Sequence, residues 1–292
     1  MNYWAIKKKY PLLVLSMLVV LSLPLHSEGE MVNLSGTLIY SKQNSIHALD
    51  LSTLKSRVIY EEKDGFPMFL HLTKIDNKRL LIEDEMNQLI KELDLDTGIA
   101  KTILHGLTPQ YISGHEKLFF YAMSSDKAQK GIFIADMEGS AVVSAQIVRE
   151  GSREQVIQVS EDEVIFYQDE KIWLYNIVSG VLRNLPLENC TLPKVMRSVT
   201  GQLLCFDATA QQYFLTDLKG EKTEYIPTLR SETAVLYIPE YDALIFGKTR
   251  FQFFPELGEV IDIWSYSFKG KKEIRLQKNV SVSLGSAIWL NK

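Results

Sequence analysis

The sequence predicts an all-β protein: a six-bladed β-propeller with about four antiparallel strands per blade. Three observations predict it. A strand-and-turn phrase recurs six times, the copies lie mostly 40 to 44 residues apart, and no segment after the N-terminal leader carries a 3.6-residue apolar period.

The leader comes first. Lys7, Lys8 and Lys9 precede the apolar run PLLVLSMLVVLSLPL, Pro11 to Leu25, and polar HSEGE follows. A positive start, a short apolar centre and a polar cleavage zone describe a signal peptide over residues 1–27. The run has 15 residues, fewer than the roughly 20 of a comfortable membrane span. An uncleaved membrane anchor is the alternative. Without residues 1–27 the chain carries 29 Lys+Arg against 36 Asp+Glu, a net charge of −7. An acidic chain with no basic patch excludes nucleic acid as the expected partner. It expects a membrane only if the leader stays attached.

Residues 28–292 are expected to form a single propeller domain. The six copies are IHALDLSTL from Ile46, IKELDLDTG from Ile90, IFIADMEGS from Ile132, IWLYNIVSG from Ile172, YFLTDLKGE from Tyr213 and IWSYSFKGK from Ile263. Apolar residues alternate with others at period two, as a strand requires. The fifth position is Asp50, Asp94, Asp136, Asn176, Asp217 or Ser267, short polar side chains that bond a turn's own backbone. Turn chemistry accounts for them without a functional ring of carboxylates. Before each copy stands an apolar strand: TLIYS, RLLIED, KLFFYA, EVIFYQ, QLLCFD and ALIFGK. Before most of those lies one more short apolar segment, giving four strands per unit. Such a small sheet cannot bury both faces alone, and radial packing of neighbours covers them. The tail NVSVSLGSAIWL, Asn279 to Leu290, reads as two further strands. It either docks onto blade one or blade six to join the ends of the ring, or begins a seventh blade.

GIFIADMEGS and YFLTDLKGEKTEYI resemble the strand-turn-strand phrases of TolB-like six-bladed propellers. The SPDG-type turn of that family is replaced here by VTGQ, SEDE and SGHE, and no WD dipeptide occurs. The resemblance implies a fold and a habit of binding partners. It transfers no catalytic residue.

Catalytic motifs are missing from the sequence: it has no G-x-S-x-G, H-E-x-x-H, C-x-x-C or EF-hand loop. The histidines have no metal-ligand spacing. Glu83, Asp84 and Glu85 are hard oxygen ligands of the kind calcium takes. Consecutive acids on extended chain point apart, however, so a solvated loop is expected. No cofactor is expected, with bound calcium as the alternative. Cys190 and Cys205 are the only cysteines; they are a disulfide candidate in an exported protein and two buried thiols otherwise. The innermost strands bring His71, Gln158, Arg197 and Tyr237 into candidate channel-lining positions. The segment GKTRFQFFPELGEV, Gly247 to Val260, reads as one unusually long loop and accounts for the 50-residue interval between the last two copies. It gathers Arg250, Phe251, Phe253 and Phe254, residue types that anchor protein interfaces; the other reading is that the loop folds back and plugs a gap in the ring. The expected function is an exported, periplasmic or secreted, non-enzymatic propeller that binds a protein or peptide through one loop face. The alternative is a metal-dependent hydrolase or lyase at the channel mouth.

Overall fold

A computed structural model describes residues 34–63, 68–123, 129–188, 190, 192–226, 233–252, 258–281 and 287–291. The leader lies outside them. Six four-stranded antiparallel sheets follow one another in chain order. Blade 1 holds β1 (Thr37–Lys42), β2 (Ser45–Asp50) and β3 (Lys55–Glu61); blade 2 holds β4 (Phe69–Lys74), β5 (Arg79–Asp84), β6 (Leu89–Asp94) and β7 (Ala100–His105). Blade 3 is β8 (Leu107–Ile112), β9 (Lys117–Met123), β10 (Lys130–Glu138) and β11 (Ala141–Glu150). Blade 4 is β12 (Val156–Gln158), β13 (Glu163–Gln168), β14 (Lys171–Asn176) and β15 (Leu182–Leu185). Blade 5 is β16 (Leu192–Arg197), β17 (Gln202–Asp207), β18 (Gln212–Thr216) and β19 (Lys222–Tyr225). Blade 6 is β20 (Thr233–Ile238), β21 (Ala243–Gln252), β22 (Gly258–Ser267) and β23 (Lys272–Ser281).

The chain end closes the ring. β24 (Ala287–Leu290) pairs antiparallel with β1, from Thr37↔Leu290 to Tyr40↔Ala287, and becomes the innermost strand of blade 1. Of the two docking places left open by the sequence, the tail takes blade one. Only its last four strand residues do so, since Asn279–Ser281 end β23. Neighbouring inner strands touch all the way round: β24, β4, β8, β12, β16, β20 and back to β24.

The second strand of every unit is apolar because both its faces are covered. In β5, Leu80 and Ile82 pack with Ile39, Ile46 and Ile288 of blade 1, while Leu81 packs with Leu118, Phe120 and Phe133 of blade 3. In β13, Val164 and Phe166 face blade 3 through Phe119 and Ile134, and Ile165 faces blade 5 through Leu203 and Phe214. The core is thus a set of inter-blade layers.

The repeated turn residue behaves as expected in five blades. Asp50 Oδ1 accepts from the Ser52 and Thr53 amides, Asp94 Oδ1 from Asp96 and Thr97, Asn176 Oδ1 from Ser179, Asp217 Oδ1 from Lys219 and Glu221, and Ser267 Oγ from Gly270. Asp136 is the exception. Its turn is shortened to Gly139 and Ser140, and its carboxylate is held by Lys117 and Ser144 instead.

Cys190 and Cys205 are disulfide-bonded across 15 residues, with Cα atoms 5.1 Å apart. The bond ties the segment that leads into blade 5 to β17, inside the layer between blades 4 and 5. Closing a loop of that length removes about 3 kcal/mol of unfolded-chain freedom. Cys190→Ser with Cys205→Ser is therefore expected to lower unfolding stability by about 3 kcal/mol in urea melts. A matching loss in the wild type on adding reductant checks the same term.

Candidate functional site

Alternating strand direction gives the ring two unlike faces. Each inner strand starts at what we term the upper face and ends at the lower one. Hairpins between second and third strands, and the connections to the next blade, therefore lie on the upper face. Turns between first and second strands lie on the lower face.

Among the described strand pairings on the upper face the blade 6 hairpin is the longest. β21 and β22 stay in register for ten pairs, from Ala243↔Ser267 to Gln252↔Gly258, against six for β1 with β2, β5 with β6 and β13 with β14. Four further pairs extend a hairpin by roughly 13 Å. Most of Gly247 to Val260 is therefore strand, correcting the long-loop expectation; the alternation in TRFQF is the strand period. Phe253 and Phe254 lie outside the described residues. The Phe251 backbone pairs with Glu259, and its side chain is not described. Arg250 is committed to the hairpin itself. Its Nε donates to Asp262 Oδ2 at 3.0 Å and its Nη2 to Asn279 Oδ1, while the Asn279 amide donates to Asp262 Oδ1 at 2.9 Å. Asp262 is 2% exposed, so Arg250 neutralises a buried carboxylate of the third strand.

A charged network crosses blades 1 to 3 on the same face. Arg153, on the connection into blade 4, pairs with Glu83 and, at 2.6 Å, with Glu85. The Thr108 amide donates to Glu83 Oε2 at 2.6 Å. Lys91 reaches Asp84 at 3.0 Å and Glu62 at 3.1 Å. Glu83 and Asp84 are fully buried. The solvated-loop expectation for this cluster is therefore wrong: Glu83 and Asp84 end a buried strand, and Arg153 from the connection into blade 4 and Lys91 from β6 hold the acids. Burial pushes the Glu83 carboxyl up to about 7, against the pull of Arg153. Burial, then the charges of Arg153 and Lys194, hold the nearby His71 imidazole down to about 4. Among the described residues no three His, Cys, Asp or Glu side chains form a metal-binding group.

The central channel holds a cavity of about 560 Å³. Gln158 and Tyr237, both expected there, line it, together with Thr73, Lys74, Gln110, Tyr111, Gln155 and Lys194. His71 and Arg197 are not among the lining residues. His71 sits by the Arg153 network at the upper end. Arg197 turns outward at the lower end: it pairs with Asp242 through Nε at 2.8 Å and Nη2 at 2.5 Å, and stacks 4.2 Å over Phe268. Tyr237 donates to the same Asp242 at 2.9 Å. Arg197 thus joins blades 5 and 6 and is not free to hold a ligand. Sequence reasoning missed Lys74 and Lys194; as cations on inner strands they were visible in TKID and PKVM.

No protein-family model matches the chain, and none of the curated proteins matches it in sequence. Solved structures do. TolB from Acinetobacter baumannii superposes with TM-score 0.66 at 15% identity, covering 88% of this chain and 67% of that one. A chain of the nidogen/laminin complex gives 0.62 at 14% identity, with 86% and 98% covered. A putative TolB from Agrobacterium tumefaciens gives 0.60 at 13%, with 86% and 100% covered. The resemblance to TolB-like propellers holds at the level of fold.

Proposed function

We propose that the protein is an exported propeller that captures a protein or peptide partner on its upper face. The observation that carries this reading is the blade 6 hairpin, which rises about 13 Å beyond its neighbours on paired strands. A rigid projection loses little freedom when a partner meets it. At the end of β21 and along the sequence that joins it to β22 stand Phe251, Phe253 and Phe254, aromatic residues of a type enriched at protein interfaces. Arg250 serves as its brace through Asp262 and Asn279. Two features support partner binding and export. One of the similar folds occurs within a nidogen/laminin complex, and the leader of residues 1–27 has the plan of a signal peptide.

The test uses the full chain with Phe251, Phe253 and Phe254 all replaced by serine. Crosslinked capture from envelope extracts of the source cells should fall by about 30-fold or more, with the melting temperature unchanged. Undiminished capture overturns the hairpin as the contact. A lower melting temperature shows that these aromatic side chains pack against the protein's own body.

A further inference from the structure

The two charged side chains that line the channel are both lysines. Lys74 lies on β4 in blade 2 and Lys194 on β16 in blade 5. Blades 2 and 5 face each other across a six-membered ring, so the two side chains spring from opposite walls. Their heights also differ. The pairings Thr73↔Leu81 and Val195↔Leu204 put Thr73 and Val195 level with each other, each opposite the third residue of its neighbouring strand. Lys194 lies in the bulge between Pro193 and Val195 and is therefore between one and two residues nearer the upper face than Lys74, on the order of 5 Å along the axis.

No Asp or Glu occurs among the described lining residues, although acids outnumber bases in the chain as a whole, 36 to 32. Neither ammonium has an ion-pair partner among the described residues, whereas Lys78, Lys91, Lys117, Lys248 and Lys271 all do. The acid that acts on Lys194 is Glu154, at a distance and without pairing; burial is the stronger influence and lowers the lysine's pKa. Burial raises the pKa of Glu154 itself. A half-buried, unpaired ammonium is unfavourable in the empty protein, and an arriving anion relieves it. Gln110, Gln155 and Gln158 line the same cavity; the side-chain nitrogens of Gln110 and Gln158 donate to the Tyr111 and Ser160 carbonyls, and their amide oxygens remain acceptors. The cavity volume falls in the range of small-ligand sites, roughly 300 to 1,000 Å³.

We infer that the channel is a binding site for a small dianion, a molecule whose two carboxylates are spaced to meet Lys194 on one wall and Lys74 on the other. The glutamines contact the spacer between them. This inference stands apart from partner capture at the hairpin, which uses other residues.

Calorimetric titration of the full chain with linear dicarboxylates from malonate to suberate tests it, with butyrate and inorganic phosphate as controls. Binding should show an optimum chain length, exceed butyrate by about tenfold, and weaken by about tenfold in each of Lys74→Gln and Lys194→Gln. Lys194→Gln should also raise the ligand-free melting temperature, because it removes an unpaired, desolvated charge; loss of binding is then separable from loss of fold. No heat with any dicarboxylate at concentrations up to about 10 mM, which leaves only a Kd too weak for a built site, overturns the proposal. So does butyrate binding as well as the best dicarboxylate, phosphate binding more tightly than any of them, or binding indifferent to both substitutions.

Discussion

A chain ending at residue 286 is expected to lose cooperative folding. The deletion removes β24, which follows blade 6 in the chain and supplies the inner strand of blade 1, so that it ties the last blade to the first. Ala287 and Ile288 are 5% and 6% exposed, and Ile288 belongs to the layer that also buries Ile39, Phe69 and Leu80. Trp289 donates from Nε1 to the Ser35 carbonyl at 3.0 Å and meets the ring of Tyr241 edge-on at 6.3 Å, binding blade 1 to blade 6. Gly36 is shaped to this strand: a Cβ there would lie 2.5 Å from Trp289 Nε1. Two buried apolar side chains with their strand pairing amount to about 5 kcal/mol, much of a typical domain's total stability of about 5–15 kcal/mol. Without β24, β1 becomes an unpaired edge and two inter-blade layers open to water. Urea unfolding should show a broader transition with a smaller slope, and a synthetic peptide of residues 282–292 should restore the sharp one in trans. An unaltered midpoint and slope would falsify the view that this strand carries closure.

The blades were legible in the sequence because their physical requirement is local. LLI in RLLIED and VIF in EVIFY are apolar without alternation, and a short strand reads that way only when both faces are buried. The turn residues were legible for the same reason, since Asp94 and Asp217 bond amides two to four positions away. What was not legible depends on distant chain. Nothing local distinguishes AIWL as the partner of a strand some 250 residues earlier. Glu83 looked solvated because the cation that buries it, Arg153, lies 70 residues on. Arg250 looked like an interface anchor because its partner Asp262 becomes its neighbour only once β21 and β22 pair. The hairpin did carry a local signal: in TRFQF large aromatic residues alternate with polar ones, and the period of two indicated strand where segment length alone suggested loop.

Arg153→Ala is expected to destabilise the protein by about 3–5 kcal/mol at about pH 8, and by far less at about pH 5. Removing one member of a buried pair leaves the other charge uncompensated, and Glu83 is wholly buried. The pH dependence follows from two groups. The Glu83 carboxyl sits at about 7 in the folded chain against 4.5 ordinarily. A raised carboxyl contributes stability that is present below about 4.5 and lost as pH rises through about 7. The His71 imidazole sits at about 4 against 6.5. A depressed histidine contributes stability that is present above about 6.5 and lost as pH falls through about 4. In the wild type the two slopes oppose each other between these limits and keep the stability profile shallow. Loss of Arg153 shifts both groups in one direction: Glu83 loses the cation that favours its anion, and His71 loses a charge that resists its protonation. The variant's stability should then fall steadily with rising pH, seen as urea midpoints that converge on the wild type in acid and diverge in base. Adding Glu83→Gln should recover most of the loss at about pH 8 and flatten the profile, because the orphaned carboxylate is gone. A deficit of equal size at every pH would mean that Arg153 acts through packing, and that Glu83 is not buried as a charge.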